Sequence, residues 1–280
     1  MGAAIREVHG GWCPARPSGK GAWCPLVSAI RRDVPLDDTV GLDNRWKSRS
    51  EVVEETCQAL ERGFRAIKLK IGQPNVADDL ERIEFVSRQL PTGVRLRLDA
   101  NQGYSVSEAK GLLRALQGAE IQLLEQPVAR WNLQAMKELR RHTAIPLLAD
   151  EAVFDSHDVA RLAFEQCADA VNIKPQKLGG LRKSMQCVEV AAAVGLGIFP
   201  SSRICTSVGV SACTHFYASL DRIDYEGEFA DGLLVCAADV CTERVVITDG
   251  AVVVPGGEGI GVDIDDMKLA RVSLGDIVLH

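Results

Sequence analysis

Five charged residues recur along this chain at intervals of roughly one strand plus one helix. They are Lys70, Asp99, Glu125, Asp150 and Lys174, and subtraction of their numbers gives spacings of 29, 26, 25 and 24. Each one closes a short apolar run. A single aspartate in that place reads as a cap for the next helix, but five charged residues in phase are hard to derive from packing. Three of them are carboxylates on what become adjacent strands. Gathered at one rim, they repel unless a cation sits among them. Oxygen donors of this kind select a hard ion, Mg²⁺ first and Mn²⁺ second. Asp150 is preferred to Glu151 as the ligand because it shares strand parity with the apolar Leu148, and neighbouring side chains point to opposite faces. Glu151 is left as a neighbour that contacts the site or its substrate. Asn101 shares parity with Asp99; it reads equally as a contact to substrate or lysine and as a helix-entry turn residue.

The lysines carry the other half of the chemistry. Arg65–Gly72 reads as a buried strand ended by glycine, and Lys68 and Lys70 lie on one face of it. Burial and like charge both disfavour the ammonium form, so a depressed pKa and a general base are expected. Taken alone, the pair also reads as an edge strand with solvated lysines. If the strand from Val34 is the first of a closed ring, Lys70 ends the second and Lys174 the sixth. In an eight-position barrel these are opposed, so one amine faces each side of a substrate. That arrangement removes a proton from one face of a carbon and returns it on the other. The substrate is then a small carboxylate, with the metal stabilising the enediolate left by loss of the α-proton. Lys177 is an alternative to Lys174, placed past the strand end.

These residues need a scaffold that presents strand ends to one opening. From Val34 onward, strands are expected at 34–41, 65–71, 94–99, 121–125, 145–150, 170–174 and 197–200. Helices are expected between them, at 50–63 (capped by Ser50 with Glu54), 77–90, 105–117, 131–142, 156–166, from about 180, and at 204–220. Strict alternation means a parallel sheet with crossover helices. Seven or more short units favour a closed (β/α) barrel, in which active sites lie at the carboxyl ends of the strands. The run Val245–Val254 around Asp249-Gly250 reads as a hairpin in a small C-terminal β appendage. The expected division is an irregular segment over 1–33, a barrel over 34–222, and a last strand with the appendage over 223–280.

The totals agree with an enzyme of ordinary composition. The 280 residues are 46% hydrophobic and 25% charged, with a net charge of −6. The acidic balance argues against a nucleic-acid surface. No apolar run reaches membrane-spanning length and no signal peptide is visible, so a cytoplasmic location is expected. The nine cysteines show no zinc-type pairs and read as reduced, packed thiols.

In order, Lys68-Leu-Lys70, Leu98-Asp99-Ala-Asn101, Leu124-Glu125-Gln-Pro127, Ala149-Asp150-Glu151 and Ile173-Lys174-Pro-Gln-Lys177-Leu-Gly-Gly180 resemble the enolase superfamily. Within it they resemble the muconate-lactonizing-enzyme (muconate cycloisomerase) and mandelate racemase-like group, over about 34–265. The resemblance implies an α/β fold, a (β/α)7β TIM-like barrel. It implies that Lys70 and Lys174 are the acid/base pair, that Lys68 modulates Lys70, and that Asp99, Glu125 and Asp150 hold the metal. It also places Glu228 at the acidic position beyond the last barrel strand, with Glu226 and Asp231 close by.

Members of that superfamily carry a capping domain of about a hundred residues before the barrel, a common small-domain length. Here the Trp-, Cys-, Pro- and Arg-rich residues before Arg31 do not resemble its end, and a shifted reading frame is one explanation. The leading functional expectation is racemisation or epimerisation of an amino-acid derivative. A muconate-type cycloisomerase is second and a dehydratase third. An uncapped barrel of feeble activity that only binds metal or oligomerises is the reading from another class. A homo-oligomer is expected, because an uncapped rim exposes apolar surface.

Overall fold

The computed structural model describes residues 30–41 and 48–273. The expectations for residues 1–29 lie outside the described residues. Seven parallel strands run in sequence order around one sheet: β2 (Asp38–Val40), β3 (Ala66–Lys70), β4 (Arg95–Asp99), β5 (Ile121–Glu125), β6 (Leu147–Ala149), β7 (Ala170–Ile173) and β8 (Gly197–Pro200). Helices cross over between them. Those that matter for the rim are α1 (Arg49–Glu61), α2 (Val76–Ser87), α3 (Val106–Ala115), α4 (Leu133–Arg141), α5 (Ser156–Glu165), the single turn α6 (Pro175–Leu178), α7 (Leu181–Ala193) and α8 (Ser207–Ala218).

The eighth position of the ring is a pair of bridges rather than a full strand. Gly227 bridges in parallel to Leu36, and Glu228 bridges in parallel to Ser201. The hydrogen bonds Gly227 N–H to Pro35 O (2.8 Å) and Glu228 N–H to Pro200 O (2.8 Å) join the first and last strands. The protein is thus an α/β barrel of the (β/α)7β kind, as the alternation required.

Three local expectations change. The run 34–41 is not one strand. It divides into β1 (Asp33–Pro35), which pairs antiparallel with β10 (Ala251–Val253), and β2, which opens the barrel. Pro35 has no N–H to offer a central ladder, so the chain changes sheets there. The β appendage is therefore a three-stranded sheet, β1-β10-β9, that includes the residues just before the barrel, with β9 at Ile247–Thr248. Its turn holds Asp249 (φ 49°) and Gly250 (φ 69°), the doubly left-handed geometry of a type I′ hairpin. A Cβ on Gly250 would meet Gly63 O at 2.6 Å, so the turn packs against the end of α1 only as glycine. Finally, α1 is capped by Ser48 with Glu51, not by Ser50 with Glu54. The Ser-x-x-Glu spacing lets each side chain reach the other's backbone N–H.

The barrel interior is layered. Leu123, Leu148, Ala170 and Phe199 form a buried apolar cluster, with Tyr225 packed against it. Among them lies a fully buried cation, Arg97, bonded to Asp37 (2.5 Å), Gln122 (2.7 Å) and Glu226. Phe199 takes two cations on its ring, with Lys68 Nζ 4.4 Å and the Arg97 guanidinium carbon 5.1 Å from the centroid. The cysteines among the described residues are all free thiols. No helix among those residues is long and apolar enough to cross a membrane.

Candidate active site

Strand register brings the spaced charges together. Lys70 stands opposite Asp99, and Asp99 opposite Glu125. Glu125 stands opposite Leu148, so Asp150 falls just past the end of β6. Lys174 lies just past β7, as the N-cap residue of α6. Lys68 and Lys70 do share a face, but neither is solvated in the manner of an edge: Lys68 is fully buried and β3 is paired on both sides.

Each lysine is tied to a carboxylate. Lys68 Nζ donates to Glu125 Oε2 (2.6 Å) and Glu228 Oε2 (2.8 Å). Lys70 Nζ donates to Asp99 Oδ2 (2.6 Å) and Asn101 Oδ1 (3.1 Å). Lys174 Nζ donates to Asp150 Oδ2 (2.6 Å), and Lys177 Nζ donates to Asp150 Oδ1 (2.6 Å) and the Asp150 carbonyl (2.5 Å).

This pairing corrects the expectation of a depressed lysine on β3. Burial does push Lys68 and Lys70 down, but Glu125 and Glu228 overcome it for Lys68, and Asp99 overcomes it for Lys70. Both end above the usual lysine range. Asp150 likewise raises Lys174. Lys177, ranked second in the sequence, is the lysine pushed down, by burial and by Lys174 beside it. The acids that the next strands deliver outweigh the like charges of the pair on β3.

The carboxylates respond in kind. Burial, followed by Asp99, pushes Glu125 up to about 8. Asp150 is held well below the usual range, because Lys177 and Lys174 outweigh its burial. Glu228 accepts from Thr39 Oγ1 (2.6 Å) and Ser201 Oγ (3.3 Å) besides Lys68. Lys68, Lys70 and Lys174 hold it low against its burial. Glu226 instead turns to Arg95 and Arg97.

Asn101 serves both of its expected roles. It sits in a left-handed turn (φ 41°) and bridges Lys70 to Glu151, its Nδ2 donating to Glu151 Oε1 (3.3 Å). The other Glu151 oxygen is buried without a partner.

Two polar residues that position the rim were missed. Gln126 is buried, with φ 35°, and its side-chain oxygen accepts from the Asp150 (3.1 Å) and Ala152 (3.2 Å) N–H groups. A polar residue between Glu125 and Pro127 was the available signal. Asn172 Nδ2 donates to Glu125 Oε1 (2.7 Å), and its shared parity with Lys174 pointed there.

Lys70, Asp150, Lys174, Lys177, Glu228 and Asp231 border one pocket of about 430 Å³ at this rim. Burial, then Glu228, pushes the Asp231 carboxyl up. The donor types of Asp99, Glu125 and Asp150 fit a hard divalent ion: all oxygen, at most 4% exposed, on successive strands. Their side chains turn to ammonium groups rather than to one another. Among the described residues, no three His, Cys, Asp or Glu form the close group that a metal ion requires. The oxygens an ion would take are those the lysines hold.

A parallel barrel with interleaved lysines and carboxylates at its carboxyl rim defines an enzyme class, and the sequence relationships agree. The chain belongs to the enolase C-terminal domain-like family, whose model matches residues 51–268. It is 32% identical over 280 residues to a chloromuconate cycloisomerase of Cupriavidus pinatubonensis, covering 95% of this chain and 75% of that protein. It is 31% identical over 242 residues to the L-Ala-D/L-Glu epimerase of Bacillus subtilis, covering 85% of this chain and 64% of the epimerase. The chain thus spans just under two thirds of that relative's length. Among solved structures, muconate cycloisomerase from Pseudomonas fluorescens superposes with a TM-score of 0.84 at 28% identity, over 90% of this chain and 69% of that one. These relatives are isomerases, and at the level of the family so is this chain.

Proposed function

We propose that the chain abstracts the α-proton of a small carboxylate substrate and returns a proton to the same carbon, epimerising an amino-acid derivative. The observation that carries this reading is the placement of Lys70 and Lys174 on one pocket, from the second and sixth positions of an eight-position ring. One lysine, in its amine form after losing its own proton to solvent, takes the proton from one face, leaving an enediolate. The other supplies a proton from the opposite face. Lys68 adds fixed positive charge one pleat below Lys70, and Asn101 and Glu151 orient Lys70. Glu228 forms the acidic wall beyond the last strand. Asp99, Glu125 and Asp150 would hold a divalent ion, Mg²⁺ or Mn²⁺, which supplies positive charge to the substrate carboxylate. Each lysine gives up an oxygen of its carboxylate partner to reach the substrate.

The catalytic barrel runs over 34–222, with Val34 and Pro35 lent to the appendage sheet, and the closing bridge and the rest of the appendage lie within 223–273. The protein is cytoplasmic and self-associates through exposed apolar side chains such as Phe164, 86% exposed.

A second reading, cycloisomerisation of a muconate-like diacid, draws on the structural likeness. The TM-score is 0.84 for muconate cycloisomerase and 0.79 for the Bacillus subtilis epimerase. It needs one lysine as the acid. Solvent deuterium separates the two. The chain is incubated in D2O with Mg²⁺ and either L-Ala-L-Glu, L-Ala-D-Glu or cis,cis-muconate. Deuterium at the α-carbon of both dipeptides supports epimerisation, and lactone formation from muconate alone supports the second reading. Metal binding with neither reaction would overturn both and favour the uncapped, inactive barrel.

A further inference from the structure

Lys70 and Lys174 reach the mouth from differently built supports. Lys174 opens α6, and its carbonyl accepts from the Lys177 (2.9 Å) and Leu178 (3.0 Å) N–H groups, so a helical turn fixes the chain just after it. After Lys70 the chain passes through residues 71–75 and has no helix of its own until α2. Those residues are held from outside. The Ile71 N–H donates to Asp99 O (2.8 Å). The next two N–H groups, of Gly72 and Gln73, both donate to Asp79 Oδ2, at 3.0 and 2.8 Å.

Asp79 lies in the first turn of α2 and is fully buried. It is not the cap of that helix, because Asn75 takes the role by accepting from the Ala77 N–H (3.1 Å). The buried Tyr104 hydroxyl donates to the same Asp79 oxygen (2.6 Å) and also accepts from the Gly72 N–H (3.1 Å). The charge of Arg82, three residues on, acts on the carboxylate as well. Backbones meet around this cluster. Gly72 is left-handed (φ 94°), and a Cβ on it would collide with Ala100 O. A Cβ on Gly103 would meet Gly72 O at 2.6 Å. The turn after β3 is thus pressed onto the turn after β4, which carries Asn101. That second turn is itself tied to the end of β5, by Ala100 N–H to Glu125 O (3.1 Å) and Gln102 N–H to Gln126 O (2.8 Å).

We propose that Asp79, together with Tyr104, is a positioning residue for Lys70: it fixes the backbone just past the lysine, so that the amine keeps its direction when it leaves Asp99 for the substrate. The proposal rests on the α-proton reading for the task of Lys70, and it adds that the two lysines depend on separate supports. In the resting site Asp99 and Asn101 hold the Lys70 amine. Once the Asp99 oxygen is given up, direction comes from the backbone and from Asn101, and both stand on the turns that Asp79 and Tyr104 join. Asp79 does not border the mouth pocket, so it acts through Lys70 and not on the substrate. Lys174, carried by its own helical turn, does not draw on it.

The test compares Asp79→Ala and Tyr104→Phe with the parent chain, by α-deuterium exchange from L-Ala-L-Glu and from L-Ala-D-Glu in D2O with Mg²⁺. The dipeptide that Lys70 serves is the one whose exchange is lost in Lys70→Ala. Asp79→Ala is expected to slow that exchange about a hundredfold, the scale of a misplaced catalytic group, and to leave the other dipeptide within about twofold. Tyr104→Phe leaves Asp79 on both N–H groups and is expected to slow the same exchange about fivefold, the scale of one hydrogen bond. It decides the matter if Asp79→Ala does not fold. Equal slowing of both dipeptides, or slowing of neither, would overturn the positioning role and leave the α-proton reading standing. Nitrogen NMR of the lysine ammonium groups gives a readout free of turnover: the Lys70 signal is expected to move in both variants while that of Lys174 stays. If the parent exchanges neither dipeptide, a moved Lys70 signal keeps the positioning role and removes the α-proton reading, and an unmoved one overturns both.

Discussion

On the β3 side of the rim two lysines face three carboxylates, and on the β7 side two lysines share one. Lys68 touches Glu125 and Glu228, and Lys70 touches Asp99. Lys174 and Lys177 both lean on Asp150. Burial opposes charge in all four. Lys68, with two acids, is nonetheless held far up, while Lys177, with a share of one, is pushed down. A buried ammonium keeps its charge only where carboxylates within reach outweigh burial and the neighbouring cation. The acid-rich side fastens the barrel together, and on the acid-poor side Asp150 still raises Lys174 while Lys177 alone is pushed down.

The largest effect that bears on this contrast is catalytic. Lys174→Ala is expected to lower turnover about a thousandfold, the scale of losing one acid/base group, with little change in melting temperature because Lys177 stays on Asp150. Parallel rate and melting measurements check it, and a melting temperature that collapses with the rate would make Lys174 a structural residue.

Stability carries the next two predictions. Lys68→Met leaves Glu125 and Glu228 buried without their cation and is expected to destabilise the fold by about 3–5 kcal/mol. Lys177→Met removes one of two cations from Asp150 and is expected to lose about 1 kcal/mol. Urea unfolding of both variants measures the gap, and equal losses would erase the distinction between the two sides.

Legibility from the sequence followed the same divide between local and assembled features. Strand and helix order was readable because each unit repeats an apolar run and a turn signal. The residues of the rim were readable because their spacing matches that unit. The division of 34–41 between two sheets was hidden, since β1 takes its partner from Ala251–Val253. The capping pair of α1 was missed by two residues because two serines compete, and only the Ser48–Glu51 spacing closes the box. The charge states of the lysines were unreadable for a deeper reason. Parity shows that Lys68 and Lys70 share a face, but the acids of Lys68 are Glu125 and Glu228, 57 and 160 residues away.

The smallest expected effect concerns Asp38, at the start of the barrel. Burial pushes its carboxyl up to about 7, against the pull of Arg62. The folded state then holds a proton that the unfolded chain releases near pH 4. Between these values the folded state binds more protons, so stability falls as pH rises from about 4 to 7. Asp38→Asn is expected to be more stable than the parent by about 1–2 kcal/mol at pH 7.5, with the gap closing toward pH 4. Denaturation curves at the two pH values check the sign, and a gap that widens on acidification would contradict it.

The opposed lysines are tested most directly one stereoisomer at a time. Lys70→Ala and Lys174→Ala are each incubated with L-Ala-L-Glu and with L-Ala-D-Glu in D2O and Mg²⁺, and α-deuterium is read by NMR. Two lysines on opposite faces predict a crossed result: each variant loses exchange from one dipeptide and keeps it from the other. Loss of exchange from both dipeptides in Lys174→Ala, with both retained in Lys70→Ala, would contradict it.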